Sequence, residues 1–233
     1  SVSVICSDKT GTLTKNEMTV AAVVTADGSF DVSGTGYAPH GGFSLDEHDV
    51  DVADHPELTE IARVAMLCND AELHYRDDGW SMTGDPMEAA LLAMAAKAGL
   101  DTATERAARP RTDAIPFDAT HRFMASLHHD HRGEDTILIK GAPEVLIDRC
   151  ATQMSGEAPA EIDRGYWHEK ADRVAASGKR VLAIAARARQ HTTRGLVFNE
   201  VDGGLRMLGL LGLIDPPRQE VRQAIATCRN AGI

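Results

Sequence analysis

The sequence predicts an α/β protein in which a central antiparallel sheet with flanking helices is inserted into a second sheet domain. Three observations lead to this expectation. The chain opens on a short apolar run, residues 2–6, that ends in a polar loop, which is the pattern of a buried parallel strand. It closes on a segment with helical spacing that stops at Gly232 and Ile233. Between these flanks, apolar stretches of strand and helix period alternate with turn residues.

The inner elements follow from local patterns. In chain order we predict hairpins over 27–43, a helix over 56–73, a helix over 86–98, strands over 122–128 and 136–140 joined by a turn at 130–134, a helix over 160–176, and strands over 180–187 and 205–214. The second helix has the clearest signals, since Asp85 stands at its N-cap, Pro86 in its first turn and Gly99 just past its end.

The two flanks define the expected domain organisation. We expect the inserted domain to cover Thr19 to Leu213, with residues 1–18 and 214–233 as two parts of the second domain. A helix that ends in Gly and then Ile usually leads into another strand, so we expect the chain to be cut inside that second domain.

Composition narrows the class of function. With 233 residues, 43% of them hydrophobic, the chain can fill a core. Its net charge of -11 offers no basic stripe, so nucleic acid is not expected as a partner, and an anionic ligand needs local positive groups. The four cysteines are widely spaced, which suggests neither disulfides nor a zinc site. The longest nearly uncharged apolar run, 207–214, is far shorter than the roughly 20 residues that span a bilayer, so we expect no direct membrane contact.

Asp8 is the first candidate for chemistry. It follows the opening apolar run and precedes Lys9, Thr10, Gly11 and Thr12. A carboxylate on such a loop can act as a nucleophile towards a γ-phosphoryl group. Lysine adds positive charge, threonine adds hydroxyl donors, and glycine lets the backbone approach a phosphate. The alternative for a short Asp-Lys-Thr triplet is an Asx-type turn without chemistry.

The longer string ICSDKTGTLTKNEMT, from Ile5 to Thr19, resembles the phosphorylation signature of P-type ATPases, and its KNEM continuation is similar to the calcium and sodium/potassium pump branch. The resemblance implies that the flanks form a haloacid-dehalogenase-like Rossmannoid phosphorylation domain. It also implies that Asp8 becomes the aspartyl-phosphate, and that its carboxylate and the Thr10 backbone help hold Mg²⁺. Phosphatases of this superfamily commonly carry a second aspartate where Thr10 stands, so the resemblance favours a phosphoenzyme that persists.

A second motif resembles the family's nucleotide-binding domain. The run Lys140-Gly141-Ala142-Pro143-Glu144 is similar to its KGAPE motif. A lysine at a strand end beside glycine can hold an ammonium over a pocket that the glycine leaves open. The alternative is a strand-end lysine whose head lies in water, with the proline simply starting a helix.

Phe117 and Arg122 resemble the family segment in which an aromatic ring stacks on adenine and a basic residue approaches the phosphates. Many calcium pumps have an arginine two residues after this aromatic, whereas this chain has Ala119, so we expect one phosphate contact fewer and a modest affinity. The alternative is that Phe117 is an ordinary core aromatic.

Three further positions match the family. Glu88, in the run GDPMEAAL, resembles a glutamate that contacts the adenine amino group, but it also stands where a capping box with Asp85 would need it. Arg180 resembles a nucleotide-contacting arginine, with a solvated charge at a strand start as the alternative. The run Asp215-Pro216-Pro217-Arg218 resembles the return hinge between the two domains, where Asp215 and Arg218 are candidates to meet the nucleotide.

Together these resemblances imply the ATP-binding cytoplasmic part of a P-type cation pump that uses ATP and Mg²⁺. Its partners are then the actuator and transmembrane domains of the same protein, and its location is the cytoplasmic side of a membrane, with the plasma membrane of a prokaryote as our expectation. We expect the chain alone to bind ATP without turning it over. A soluble haloacid-dehalogenase-like phosphatase and a non-catalytic ATP-sensing module remain as alternatives.

Overall fold

The computed structural model describes residues 2–76, 79–131, 133–156, 158–190 and 195–233, and the side chains of Lys9 and Thr10 lie outside the described part. The strands within these residues are β1 Thr19–Val24, β2 Ser29–Val32, β3 Phe43–Leu45, β4 His48–Val50, β5 Glu72–Arg76, β6 Gly79–Thr83, β7 Arg111–Asp118, β8 Phe123–His129, β9 Asp135–Gly141, β10 Cys150–Ser155, β11 Ala158–Glu161, β12 Arg180–Arg189 and β13 Leu205–Ile214. The α-helices are α1 Pro56–Leu67, α2 Pro86–Lys97, α3 Thr102–Ala108, α4 Pro143–Arg149, α5 Arg164–Ala176 and α6 Gln219–Asn230.

One large sheet organises the molecule. Its strands follow the order β4-β3-β2-β1-β13-β12-β9-β8-β7, and every neighbouring pair on this path is antiparallel. Strand β10 joins β13 in parallel and carries β11 at its side, while β5 and β6 form a separate hairpin. The predicted α/β class, with a central antiparallel sheet and flanking helices, is confirmed.

Two cores lie on opposite faces of this sheet. Along β12, Leu182 and Ile184 point to the core that contains α1 and α2, whereas Ala183 and Ala185 point to the core that contains α4 and α5. This alternation is the period of two that a strand imposes on its side chains. Because helices cover both faces, the buried stretches of the central strands β12 and β13 are apolar on both faces.

The chain enters and leaves the sheet at adjacent points. Strand β1 pairs with β13, with Thr19 opposite Ile214. Beyond the strands, Lys15 N donates to Pro216 O at 3.0 Å and Arg218 N donates to Leu13 O at 3.0 Å. The two flanking segments therefore run side by side as they leave the sheet.

The prediction of a buried strand over residues 2–6 is wrong. These residues are not in a strand, and the side chains of Val2, Val4 and Ile5 are 64%, 70% and 58% exposed. A strand holds its shape through a hydrogen-bonded neighbour and an apolar cover. The residues that the structure describes provide neither at this position.

Two helix boundaries also differ from prediction. The helix expected over 56–73 ends at Leu67. Just beyond this end, the side-chain amide Nδ2 of Asn69 donates a hydrogen bond to Ala65 O at 3.1 Å. The helix expected over 160–176 begins only at Arg164, because Asp163 caps it through Tyr166 N and the preceding residues pair with β10 as β11. In both cases a polar side chain near the end decides the boundary.

Gly209 tests the close packing of β13 against α1. A Cβ at this position would lie 2.6 Å from Ile61 Cδ1 and 2.7 Å from Val24 O. We expect Gly209→Ala to lower the free energy of unfolding by about 1–3 kcal/mol, since a backbone oxygen cannot move aside cheaply. Urea unfolding measures the change. Gly203→Ala is the matched control, because nothing lies within 4 Å of its Cβ, and a similar loss there would contradict the packing argument.

Candidate functional site

The sheet brings most of the predicted site residues to one end. Across three strands, Phe123 lies opposite Gly141 and Gly141 lies opposite Ala183. Strands β7, β9 and β13 end at this side, and β8, β12 and β1 begin there. The predicted residues on these strand ends or next to them are Phe117, Arg122, Lys140, Gly141, Ala142, Arg180 and Asp215.

Lys140 and Glu88 form a buried ion pair. Lys140 lies on β9 and Glu88 in the first turn of α2, and their side chains are only 5% and 13% exposed. Lys140 Nζ lies 2.5 Å from Glu88 Oε1, while Asp70 N donates to Glu88 Oε2 at 3.1 Å. The lysine head is therefore not in water, and that alternative is wrong. The glutamate faces Lys140 and Asp70, although Asp85 does cap α2 through Met87 N and Glu88 N, as predicted.

Gly141 allows the KGAPE segment to pack tightly against the turn before β8. A Cβ on Gly141 would lie 2.6 Å from Phe123 Cβ and 2.7 Å from Arg122 O. Ala142 N donates to the same Arg122 carbonyl at 2.9 Å. Pro143 starts α4, as the sequence indicated. The motif thus fixes the backbone of Arg122, which has a left-handed φ of 57°.

The Arg122 side chain reaches solvent. Its Nη1 lies 2.5 Å from Glu144 Oε1, and the two side chains are 52% and 55% exposed. A pair as exposed as this one contributes about 0–1 kcal/mol to stability. The guanidinium can therefore exchange Glu144 for another anion at little cost.

Phe117 lies on the edge strand β7 and is 63% exposed, so the alternative that it is a core aromatic is wrong. The register of β7 with β8 is irregular between Ile115 and Asp118, and Pro116 lies within that irregularity. The ring of Phe117 is therefore largely open to solvent. An exposed aromatic face is suited to stacking on a flat apolar ligand.

A cavity of about 520 Å³ lies between the start of α2, the start of β12 and the end of β13. Arg180 and Asp215 are the predicted site residues in its lining, which also contains Lys179 and Asp85. Arg180 is exposed at the first residue of β12, so the predicted strand start is confirmed. The lining thus contains both cationic groups and carboxylates.

Burial and the carboxylates near the cavity raise the pKa of the Tyr37 phenol. Burial raises the pKa of Tyr37, and the negative charges of Glu17, Asp215 and Asp85 raise it further. Three negative charges thus act on this phenol. An anionic ligand in the cavity is expected to favour the cationic Lys179 and Arg180 of the lining.

The DKTGT segment is bound to the DPPR segment. Residues Lys9–Leu13 form one π-helical turn in which Gly11 has a positive φ of 76°. Thr14 Oγ1 donates to Asp215 Oδ2 at 2.6 Å, and Arg218 Nη2 donates to Gly11 O at 3.0 Å. Asp8, just before this turn, is exposed. The contact fixes the position of the DKTGT segment relative to the end of β13.

The described residues contain no group of three or more His, Cys, Asp or Glu side chains that could hold a metal ion. Asp8 carboxylate and Thr10 carbonyl oxygens are the ligand type that Mg²⁺ prefers, and Mg²⁺ is usually held by one or two carboxylates together with substrate phosphates. The oxygens that this segment offers therefore fit Mg²⁺ as a partial site. Within the same residues, we find no helix with the length and apolarity that crossing a membrane requires.

Sequence reasoning missed the groups that hold Glu88. The Asp70 N–H and the buried Asn69 lie between α1 and α2, and Asn69 Nδ2 donates to Glu88 O at 2.9 Å. An asparagine inside the helix predicted over 56–73 was the available signal, since asparagine favours turns through its side chain. It carries no information about a partner 19 residues further along.

Known proteins resemble this chain along its whole length. The family model of the P-type ATPase cytoplasmic domain N of cation ATPases matches residues 57–220, more than half of the chain. The cation-transporting ATPase pma1 of Synechocystis sp. is 43% identical over 239 residues, which cover 100% of this chain and 26% of that protein. The calcium-transporting ATPase of Bacillus subtilis is 38% identical over 99% of this chain and 26% of its own length. The human calcium-transporting ATPase type 2C member 1 is 34% identical over 99% of this chain and 24% of its own length. The chain spans about a quarter of the length of these relatives.

The buried Lys140–Glu88 pair gives a prediction on stability. Lys140→Met removes the partner of a carboxylate that stays buried, so we expect the free energy of unfolding to fall by about 3–5 kcal/mol. Adding Glu88→Gln removes the stranded charge and should restore about 2 kcal/mol of this loss. Urea unfolding of both single variants and the double variant measures the coupling. Strictly additive losses would show that the two side chains do not depend on each other.

Proposed function

Because this chain belongs to the family of P-type ATPase cytoplasmic N domains, we propose that it is the ATP-binding part of a cation pump that is phosphorylated on Asp8. The observation that carries the proposal is the meeting, at one end of the sheet, of a stacking ring, a buried Lys–Glu pair and exposed arginines. We assign residues 19–213 to the nucleotide-binding domain, and residues 1–18 and 214–233 to parts of the phosphorylation domain.

The base of ATP binds between Phe117 and the Lys140–Glu88 pair in this proposal. The exposed ring of Phe117 offers its face to adenine. The Glu88 carboxylate accepts a hydrogen bond from the exocyclic amine, while Lys140 holds that carboxylate in place. Gly141 and Ala142 let the nucleotide lie close to the backbone.

The phosphates extend towards the arginines. Arg122 leaves Glu144 for the phosphates, an exchange that its exposed ion pair allows. Arg180 approaches from the first residue of β12, and Arg218 and Asp215 meet the distal end of the nucleotide. These local cations offset the net charge of -11 at the point where an anion must bind. Ala119 contributes no such contact, which favours a modest affinity.

Phosphoryl transfer in the full-length protein then takes place at Asp8. A carboxylate oxygen forms a bond to the γ-phosphorus, the bond from that phosphorus to the bridging oxygen of the β-phosphate breaks, and ADP leaves. Lys9 adds positive charge beside the transferred group. Mg²⁺, held by the Asp8 carboxylate, the Thr10 carbonyl and the phosphates, supplies further charge neutralisation. The hydrogen bonds from Thr14 and Arg218 keep this loop beside the end of β13.

The names of the relatives support a proposal about the transported ion and the partner domains. They are named as cation-transporting and calcium-transporting ATPases, so we propose transport of a cation, with calcium as the first candidate, across a membrane whose cytoplasmic side this domain faces. Its partners are the actuator and transmembrane domains of the same protein. A soluble phosphatase or a non-catalytic ATP sensor would not need the hinge contacts and the phosphorylation motif together.

Phe117 provides the direct test of nucleotide binding. Base–aromatic stacking contributes about 1–3 kcal/mol, so Phe117→Ala should raise the dissociation constant for ATP by about 5- to 150-fold. Calorimetric titration with and without Mg²⁺ measures it, and an exposed ring is removed without loss of the core. Tyr75→Ala is the matched control, since Tyr75 is equally exposed, at 60%, on the separate β5–β6 hairpin. Equal affinities of all three proteins would refute the pocket.

Asp8 distinguishes the pump from the two alternatives. We expect the full-length protein to incorporate phosphate from ATP, and Asp8→Asn to abolish the incorporation, since an amide cannot form the acyl phosphate. Radiolabelling followed by acid trapping measures it, and the purified chain alone should show no steady ATP hydrolysis. Labelling that persists in the variant would exclude this aspartate. Rapid turnover of small phosphate esters by the chain would favour a phosphatase.

A further inference from the structure

We propose that Asn69 is a positioning residue that holds the Glu88 carboxylate as an acceptor for a purine with an amino group at position 6. The inference rests on the proposed nucleotide site and adds the determinant of its base preference. Asn69 itself touches no nucleotide in this proposal. It acts through Glu88.

Asn69 bridges the end of α1 and the first turn of α2. Its side chain is buried, and the residue is 2% exposed. Its Nδ2 donates to Ala65 O at 3.1 Å and to Glu88 O at 2.9 Å, and its Oδ1 accepts from Ala71 N at 2.8 Å. Three hydrogen bonds therefore tie one buried amide to both helices and to the turn that follows it.

This turn aims a backbone donor at Glu88. The bond from Ala71 N to Asn69 Oδ1 closes an Asx turn around Asp70. Within that turn, Asp70 N donates to Glu88 Oε2 at 3.1 Å, while Lys140 Nζ binds Oε1 at 2.5 Å. Each carboxylate oxygen is thus held by one donor, and Asn69 fixes both the backbone of Glu88 and the N–H that orients its side chain.

A carboxylate held in this way selects by hydrogen-bond polarity. An ionised carboxylate only accepts hydrogen bonds, so it can pair with the 6-amino group of adenine. A 6-oxo purine presents an acceptor at the same position, which leaves two acceptors facing each other without a proton. Rejecting a ligand that leaves buried polar groups unpaired is the usual source of strong discrimination. If the only role of Asn69 were to terminate α1, replacing it would weaken the binding of a 6-amino and of a 6-oxo purine nucleotide equally.

The test compares ATP with inosine triphosphate, which has the same phosphates and a 6-oxo base. We expect the unaltered chain to bind ATP at least about tenfold more tightly, which corresponds to about 1.4 kcal/mol. Asn69→Ser retains an oxygen that can accept from Ala71 N but is too short to reach Glu88 O. For this variant we expect the ratio of the two dissociation constants to fall to about threefold or less, mainly through weaker ATP binding.

Thr25→Val is the control for lost stability. Thr25 is also buried, and its Oγ1 accepts from Asp27 N and Gly28 N in the β1–β2 turn, away from Glu88. Thr25→Val should leave the ratio of the two dissociation constants unchanged.

A second variant and a second readout test the same role. Asn69→Asp, which keeps the size of the side chain and removes its two donors, should lower the ratio as Asn69→Ser does. One readout needs no variant, because ATP should shift the amide proton signal of Asp70 more than inosine triphosphate does.

The outcomes separate this inference from the proposed function. An unaltered ratio in Asn69→Ser, or an equal affinity of the unaltered chain for both nucleotides, overturns the role of Asn69. If Phe117→Ala still weakens ATP binding in that case, the nucleotide site stands without it. If the chain binds neither nucleotide, the proposed function fails and this inference fails with it. If neither Asn69 variant folds, equal shifts of the Asp70 amide signal with the two nucleotides overturn the inference.

Discussion

The pairing of β1 with β13 is the constraint on which the rest of the structure depends. Thr19 lies opposite Ile214, so nearly two hundred residues fold between two points that are neighbours in one sheet. The pairing requires close packing, and Gly209 in β13 provides it by leaving room for Ile61 and the Val24 carbonyl. Because entry and exit are adjacent, the segments that precede β1 and follow β13 leave the sheet side by side, and Thr14 pairs with Pro217 in an antiparallel bridge.

The Lys140–Glu88 pair is a different kind of constraint, because it places charge inside a core. Burying two charges costs several kcal/mol of hydration, and their attraction rarely returns more than that. Apolar residues of the same size would stabilise the fold as well. The pair is therefore better explained by the site than by stability, since it presents a fixed acceptor at the place where we propose that adenine binds.

The sequence predicted correctly those strands and helices that neighbouring residues determine. The strand over 205–214 followed from a run that is apolar on both faces, and the start of α2 from Asp85 and Pro86. Predictions failed where contacts with residues far away in the sequence determine the structure. Residues 2–6 have a strand composition but no neighbour in the described structure. Ala160 and Glu161, predicted to begin the helix, pair with β10 as part of β11. For the site, motifs named the residues, yet the contact between Lys140 and Glu88, 52 positions apart, required the fold.

The edge position of Phe117 has a consequence for the protein in a crowded solution. A flat strand edge with an exposed aromatic ring is a template on which a second copy can add a strand. Pro116 removes one donor from that edge, and the irregular register between Ile115 and Asp118 bends it. The same irregularity that displays the ring thus makes β7 a poor template for edge-to-edge pairing with a second copy.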